Sequence, residues 1–291
     1  MSKRFLKIYV EITNSCNFNC SFCGKSKREI KFMTIEEFRK VANEVIKYTD
    51  LITLHIKGEP LLHPNLKEIL DISNEVGLKV NITTNGSLIS KNIEFLKNPC
   101  VRQLNISIHS VNVNNINEIN ISRESYLNDI FKSVKILKDN NENLYISYRL
   151  WNLKNIEKNS ENYDLIQSLE KEYNMTDLIN VAKENLFVEL GKGIFLNQDL
   201  EFKWPYMEDK VISDIGRCLG LKNQIGILSN GNVVPCCLDQ DGNVLLGNIF
   251  KDTLENILNS DFCREIIKGF DENKIIPELC RRCTFREKFS K

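Results

Sequence analysis

Over its first two thirds the chain alternates between two hydrophobic periods, and that alternation narrows the folds open to it. The runs "LKIYVEI" (6–12), "LITLHI" (51–56), "LKVNIT" (78–83), "QLNISI" (103–108) and "NLYISYRL" (143–150) read as strands. Helical patterns fill the gaps at 34–48, 65–77, 90–97, 125–139 and 162–173. Thr34 and Glu37 have capping-box spacing, and Phe38, Val41, Ala42 and Val45 fall on one face of the helix they open. Gly77 stands as a helix stop. Five β-α units, with a weak sixth strand at 199–204, imply a parallel sheet with helices outside it. The expected fold class is α/β, a partial (β/α)6 TIM-like barrel over 1–210. A small cysteine-rich α+β domain is expected over 211–291, built from a hairpin at 223–237 turning on Asn230-Gly231 and a helix at 253–270.

Composition removes several function classes. The 39 basic and 39 acidic residues balance, so no net field favours nucleic acid or an anionic membrane, and neither is expected as a partner. No run of about 18 apolar residues is present, and the first residues lack the apolar core of a secretory signal. A cytoplasmic protein is therefore expected. In that setting ten cysteines read as metal ligands before disulfides.

In barrels of β-α units the reactive site lies at the C-terminal ends of the strands. The unusual polar segments fall there. Strand one runs into "TNSCNFNCSFCG" (13–24), strand two into "KGEP" (57–60), strand three into "TTNG" (83–86), strand four into "SIHS" (107–110) and strand five into "YRLWN" (148–152). Cys16, Cys20 and Cys23 are spaced C-x3-C-x2-C, one thiolate short of a closed zinc site. A zinc knuckle is the structural alternative. A four-iron cluster on three cysteines keeps one iron open to a further ligand.

At these residues the sequence resembles the radical SAM superfamily. Phe22 is the aromatic of the family's cysteine motif, and "KGEP" is similar to its G-G-E-P segment, with Lys57 in place of the first glycine. The resemblance implies that S-adenosylmethionine (SAM) fills the open iron position and is reductively cleaved to a 5′-deoxyadenosyl radical. It also implies that Gly58, Glu59 and Pro60 bind the methionine end, and that Phe22, Thr84, Asn85, Ser107 and Arg149 contact the cofactor. Arg149 is the one candidate for contact with substrate as well. Each has a bland alternative: Asn85 and Ser107 as turn residues, Arg149 as an ion pair, His55 and His63 in packing. His109 lies on the rim, and Cys100 is a small buried hydrophobe.

Past residue 210, Cys218, Cys236, Cys280 and Cys283 supply four thiolates, enough for a closed four-iron cluster or for one zinc. Cys237 is the alternative to Cys236, and Cys263 fits the spacing poorly. This set resembles the single-cluster "twitch" form of the SPASM appendage. Length and appendage spacing are similar to the 2-deoxy-scyllo-inosamine dehydrogenase type of alcohol oxidase. The implied cofactors are SAM and two [4Fe-4S] clusters, with a flavodoxin or ferredoxin as electron donor. The first strand starts near residue 6, leaving no room before it for a peptide-recognition domain. That favours a small polar substrate such as a cyclitol or sugar. A precursor peptide is the alternative, and a non-catalytic electron-transfer protein the third reading.

Overall fold

The computed structural model describes residues 3–24, 26–110, 122–153 and 162–289. They form two compact units: 1–16, 24–80 and 202–291 make the first, 17–23 and 81–201 the second.

In the first unit the strand order is β10-β9-β8-β1-β2, with β1 (Lys7–Val10) between β8 and β2. It pairs in parallel with β2 (Leu51–Leu54) on one side and with β8 (Gln224–Ile227) on the other. A C-terminal strand thus joins the N-terminal one directly, which the alternation gave no reason to expect. Strand β9 (Asn232–Val234) folds back against β8, and the two-residue strand β10 (Gly247–Asn248) pairs with it. The Asn230-Gly231 hairpin is present with a longer turn than the dipeptide suggests. Gly231 N–H donates to Leu228 C=O at 2.8 Å, and Leu228 N–H donates to Asn232 C=O at 2.9 Å, so three residues make the loop. Gly231 holds φ +83°, the left-handed residue that such a three-residue connection needs.

Helix α1 (Ile35–Val45) starts at the expected capping box, both of whose bonds are made. Phe38, Val41, Ala42 and Val45 are buried on its inner face. Helix α2 (Leu66–Glu75) buries Leu66, Ile69 and Leu70. The helix expected over 253–270 is two helices, which take the labels α7 (Leu254–Leu258) and α8 (Asp261–Asp271) in chain order. Ser260 breaks it: its hydroxyl accepts from Cys263 N–H at 3.3 Å and caps α8.

In the second unit the strand order is β3-β4-β5-β7-β6, with β3 (Lys79–Thr84) entering from the first unit. Strands β4 (Val101–Ile106) and β5 (Tyr145–Leu153) pair in parallel, as do β5 and β7 (Ile194–Leu200). The weak strand read at 199–204 is misplaced. The strand is β7, and β6 (Phe187–Gly191) turns into it through Lys192-Gly193, Gly193 holding φ +70°. "FVEL-GKG-IFLN" carries that hairpin signal in plain form. Helix α3 (Ile93–Leu96) is short, and α4 (Arg123–Asn140) and α5 (Tyr163–Glu172) match expectation closely. Helix α6 (Leu178–Glu184) follows α5 unforeseen.

Period two divides the second unit's strands into faces. Val80, Ile82, Leu104, Ile106, Ile146 and Tyr148 are buried on one. The other is polar and uncharged over much of its length: Asn81, Thr83, Asn105 and Ser147 are also buried. Gln103 Nε2 donates to Asn105 Oδ1 at 2.8 Å, which ties part of that face together.

Candidate functional site

Strand β2 is followed by the "KGEP" turn. Gly58 holds φ +78°, and a Cβ there would sit 2.5 Å from Thr13 C=O and 2.7 Å from Ser15 C=O. No other residue type fits, because the turn passes against the backbone that leads into the cysteine loop. Glu59 N–H donates to Ser15 C=O at 2.7 Å, which fixes that approach. The Glu59 carboxylate is buried and accepts from Leu61 N–H at 3.0 Å, capping a 3₁₀ turn at Pro60–Leu62. Lys57, in the glycine position of the related motif, is buried along its length. Its ammonium donates to Gly24 C=O and lies over the Trp204 ring, 4.7 Å from the centroid.

Sequence reasoning missed the group beneath this turn. Glu11, at the end of β1, is fully buried. One carboxylate oxygen accepts from Arg28 Nη2 at 2.8 Å and from Lys57 N–H at 3.2 Å. The other accepts from Ser229 Oγ at 2.9 Å and Ser229 N–H at 3.1 Å. A buried carboxylate is tolerated only when matched in this way. The sequence hid it, because Glu11 shares the polar register of the strand with Lys7 and so reads as a solvent-facing residue.

The cysteine loop passes from the first unit, which holds Cys16, to the second, which holds Cys20 and Cys23. Cys16 is exposed, Cys20 and Cys23 half-buried, and none of the ten cysteines is in a disulfide. Cys23 N–H donates to Cys20 C=O at 3.1 Å, so these two share one turn.

Within the second unit, Phe22 packs on His109, ring centroids 4.8 Å apart. His109 is buried, and its Nδ1 lies 2.8 Å from Arg149 C=O. A carbonyl only accepts, so Nδ1 carries the proton and Nε2 is the acceptor nitrogen. Burial, with the Arg149 charge adding to it, lowers the His109 pKa to about 4, so the ring is neutral at ordinary pH. The Arg149 guanidinium stacks over Trp151 at 4.2 Å, and Trp151 Nε1 donates to Asn197 Oδ1. Thr84, Asn85 and Ser107 all make turn-forming bonds. Thr84 Oγ1 accepts from Gly86 N–H at 3.0 Å, Asn85 Oδ1 from Ser87 N–H at 3.0 Å, and Ser107 N–H donates to Thr84 C=O at 2.9 Å. Asn85 Nδ2 also donates to Asn17 Oδ1 at 2.9 Å, tying strand three's end to the cysteine loop. His63 is structural: Nε2–H donates to Met33 C=O and Nδ1 accepts from Asn65 N–H. His55 is half-buried just past β2, and Cys100 is fully buried.

The four C-terminal thiols are neighbours in the first unit. Burial raises the pKa of each, well above the ordinary thiol value for Cys236 and Cys280. Cys236 feels Cys237, Cys218 and Cys280, while Cys280 feels Cys218 and Cys283. Four mutually coupled thiols are the donor chemistry of an iron–sulfur cluster, although among the described residues no group of three or more cysteine, histidine or carboxylate side chains is placed to hold a metal ion. Cys237 also feels Cys218, but its side-chain bond lies elsewhere. It bonds Tyr9 and packs against Ile56, Leu228 and Val234. Cys263 is buried in α8 beside Ser260. The expected result is that Cys236→Ala loses about four irons per chain and Cys237→Ala about none, read by iron and sulfide analysis of anaerobically reconstituted protein.

Residues 10–160 match the family model of the Radical SAM superfamily, and residues 218–284 match that of the SPASM iron-sulfur cluster-binding domain. The chain is 29% identical over 279 residues to the antilisterial bacteriocin subtilosin biosynthesis protein AlbA of Bacillus subtilis, covering 88% of this chain and 60% of AlbA. It is 28% identical over 149 residues to the GTP 3′,8-cyclase of Aquifex aeolicus, covering 46% of this chain and 44% of the cyclase. The chain thus spans less than two thirds of the length of either relative. Among solved structures, BtrN in complex with AdoMet and 2-DOIA superposes with a TM-score of 0.60 at 18% identity, over 98% of this chain and 94% of BtrN.

Proposed function

We propose that this chain, which belongs to the radical SAM superfamily, oxidises a small polar substrate at an alcohol carbon. The family binds SAM and a [4Fe-4S] cluster, works with a reductant, and here carries an additional iron–sulfur domain. What supports this reading is the match of residues 218–284 to an iron–sulfur cluster-binding domain, with the four mutually coupled, half-buried thiols Cys218, Cys236, Cys280 and Cys283 inside it. When loaded, the two clusters and SAM supply a 5′-deoxyadenosyl radical and an acceptor for one electron. The oxidation would balance with one electron from the external donor cleaving SAM to methionine and the radical, the substrate C–H hydrogen ending in 5′-deoxyadenosine, the hydroxyl proton in solvent and the remaining electron in the auxiliary cluster that Cys218, Cys236, Cys280 and Cys283 would hold.

The chain's own residues bind and orient. Cys16, Cys20 and Cys23 hold the SAM cluster. Glu59 takes the methionine ammonium, with Gly58 and Pro60 shaping that turn. Phe22, Thr84, Asn85 and Ser107 contact the rest of the cofactor. Arg149, braced on Trp151, orients a substrate oxygen, and neutral His109 keeps an acceptor nitrogen. The uncharged amide and hydroxyl face built from Thr83, Asn105 and Ser147 suits hydroxyl groups better than ions. The external donor is a flavodoxin or ferredoxin type of protein.

The similarity to AlbA supports a second reading, modification of a ribosomally made peptide. One experiment separates them. Reduced protein is incubated anaerobically with SAM and carbon-deuterated cyclitols or sugars, and in parallel with cysteine-rich precursor peptides. The proposed function predicts deuterium in 5′-deoxyadenosine and a cyclitol or sugar product lighter by two hydrogens. Deuterium transfer from peptides alone would install the second reading. Deoxyadenosine formed with neither would leave only the family assignment standing.

A further inference from the structure

The turn after Cys236-Cys237, running from Asp239 to Val244, is built more firmly than an idle loop. Asp239 is buried, and its two carboxylate oxygens accept from Asn243 N–H at 2.8 Å and Val244 N–H at 2.7 Å. Gly242 takes φ +76° to close the turn. What this turn presents outward is the segment that directly follows Cys23. Asp241 Oδ1 accepts from Ser26 Oγ at 2.7 Å and from Lys27 N–H at 2.9 Å. Gln240 C=O accepts from Arg28 Nε–H at 2.7 Å. A Cβ on Gly24 would collide with Gln240, Trp204 and Tyr206 at 2.8 Å each, so the chain is pinned there too. Arg28 then reaches on to Glu11, which carries the amide of Lys57 beside Gly58 and Glu59. All of these residues belong to the first unit.

We infer that Asp241 and Arg28 are positioning residues through which the auxiliary cysteine segment sets the conformation of the SAM-cluster loop. The inference rests on Cys16, Cys20, Cys23 and Cys236 being cluster ligands, as proposed above. The physical reason is economy of contact. The segment after Cys23 has little apolar surface to bury, so its order depends on hydrogen bonds to a rigid partner, and that partner sits four and five residues past Cys236. A segment held this way fixes where the third thiolate points. A segment released from it leaves the cluster on a loop tethered at one end.

Asp241→Ala removes both bonds to the carboxylate, and Asp241→Asn keeps the accepting oxygen. Limited trypsin digestion of the reconstituted protein reads the segment itself, at the bonds after Lys27 and Arg28. SAM titration followed by the electron paramagnetic resonance spectrum of the reduced cluster reads the consequence. Cutting about tenfold faster and SAM affinity about tenfold weaker are expected for Asp241→Ala, with iron content and melting temperature unchanged and Asp241→Asn close to wild type. Cutting and SAM affinity both within twofold of wild type in Asp241→Ala would overturn the inference, as would an Asp241→Asn variant no better than Asp241→Ala. Failure of the ligand assignment on which it rests looks different: wild type itself would then hold no reducible cluster and bind no SAM, while the cutting rates would still report the clamp.

Discussion

Replacing Cys16, Cys20 and Cys23 together by Ala is expected to lower iron from about eight to about four per chain and to bring deoxyadenosine formation to background. The first unit holds a second complete thiol set that the change does not touch, so the remaining irons stay with Cys218, Cys236, Cys280 and Cys283. Folding should survive. Cys16 is exposed and Cys20 and Cys23 are only half-buried, so they contribute little packing. Parallel analysis for iron, sulfide and zinc separates the possibilities. About four irons plus one zinc in wild type would make the C-terminal site structural. The electron acceptor would then be gone, and a redox-neutral or reductive outcome would replace the oxidation proposed above.

Which features were legible in the sequence follows from how local their causes are. Helix α1 was readable to its cap because Thr34, Glu37 and the buried face all act within one helix. The Gly58 turn was readable in type, and the structure supplies the reason, a backbone approach that admits no side chain. Strand β8 beside β1 was not readable, since a contact between residues 7 and 224 leaves no periodic trace at either place. The choice of Cys236 over Cys237 was a motif preference. In the structure Cys237 bonds Tyr9 and packs against apolar side chains, yet it also feels Cys218, so the choice stays a proposal. Lys57 was the departure from the related motif. Its backbone N–H has a use at Glu11 that any residue could serve, while its ammonium serves Gly24 and Trp204, which glycine could not.

Glu11→Ala is expected to be among the most damaging single changes outside the cysteines. It leaves the Arg28 guanidinium, whose side chain is 11% exposed, without its buried counter-charge, and strands the Ser229 and Lys57 amides. Breaking a buried pair from one side costs about 3–5 kcal/mol. At about 2–4 °C per kcal/mol that lowers the melting temperature by roughly 6–20 °C. The surface pair Arg39–Glu75, at 3.0 Å but half exposed on both sides, provides the control: Glu75→Ala should cost under about 1 kcal/mol. Glu11→Gln should also be destabilising, since it removes the counter-charge and its amide nitrogen must face donors on one side, either Arg28 and the Lys57 amide or the Ser229 amide. The informative variant is the double one, Glu11→Met with Arg28→Met. Removing both charges abolishes the stranded ion, so the double variant should be more stable than either single change. A double variant as unstable as the sum of the singles would mean that Glu11 acts through its bonds to Ser229 and Lys57 and owes nothing to Arg28. If the pair behaves as expected, the double variant should fold yet bind SAM poorly, since stability can be restored by apolar packing while the Lys57 amide still lacks the acceptor that places Gly58 and Glu59.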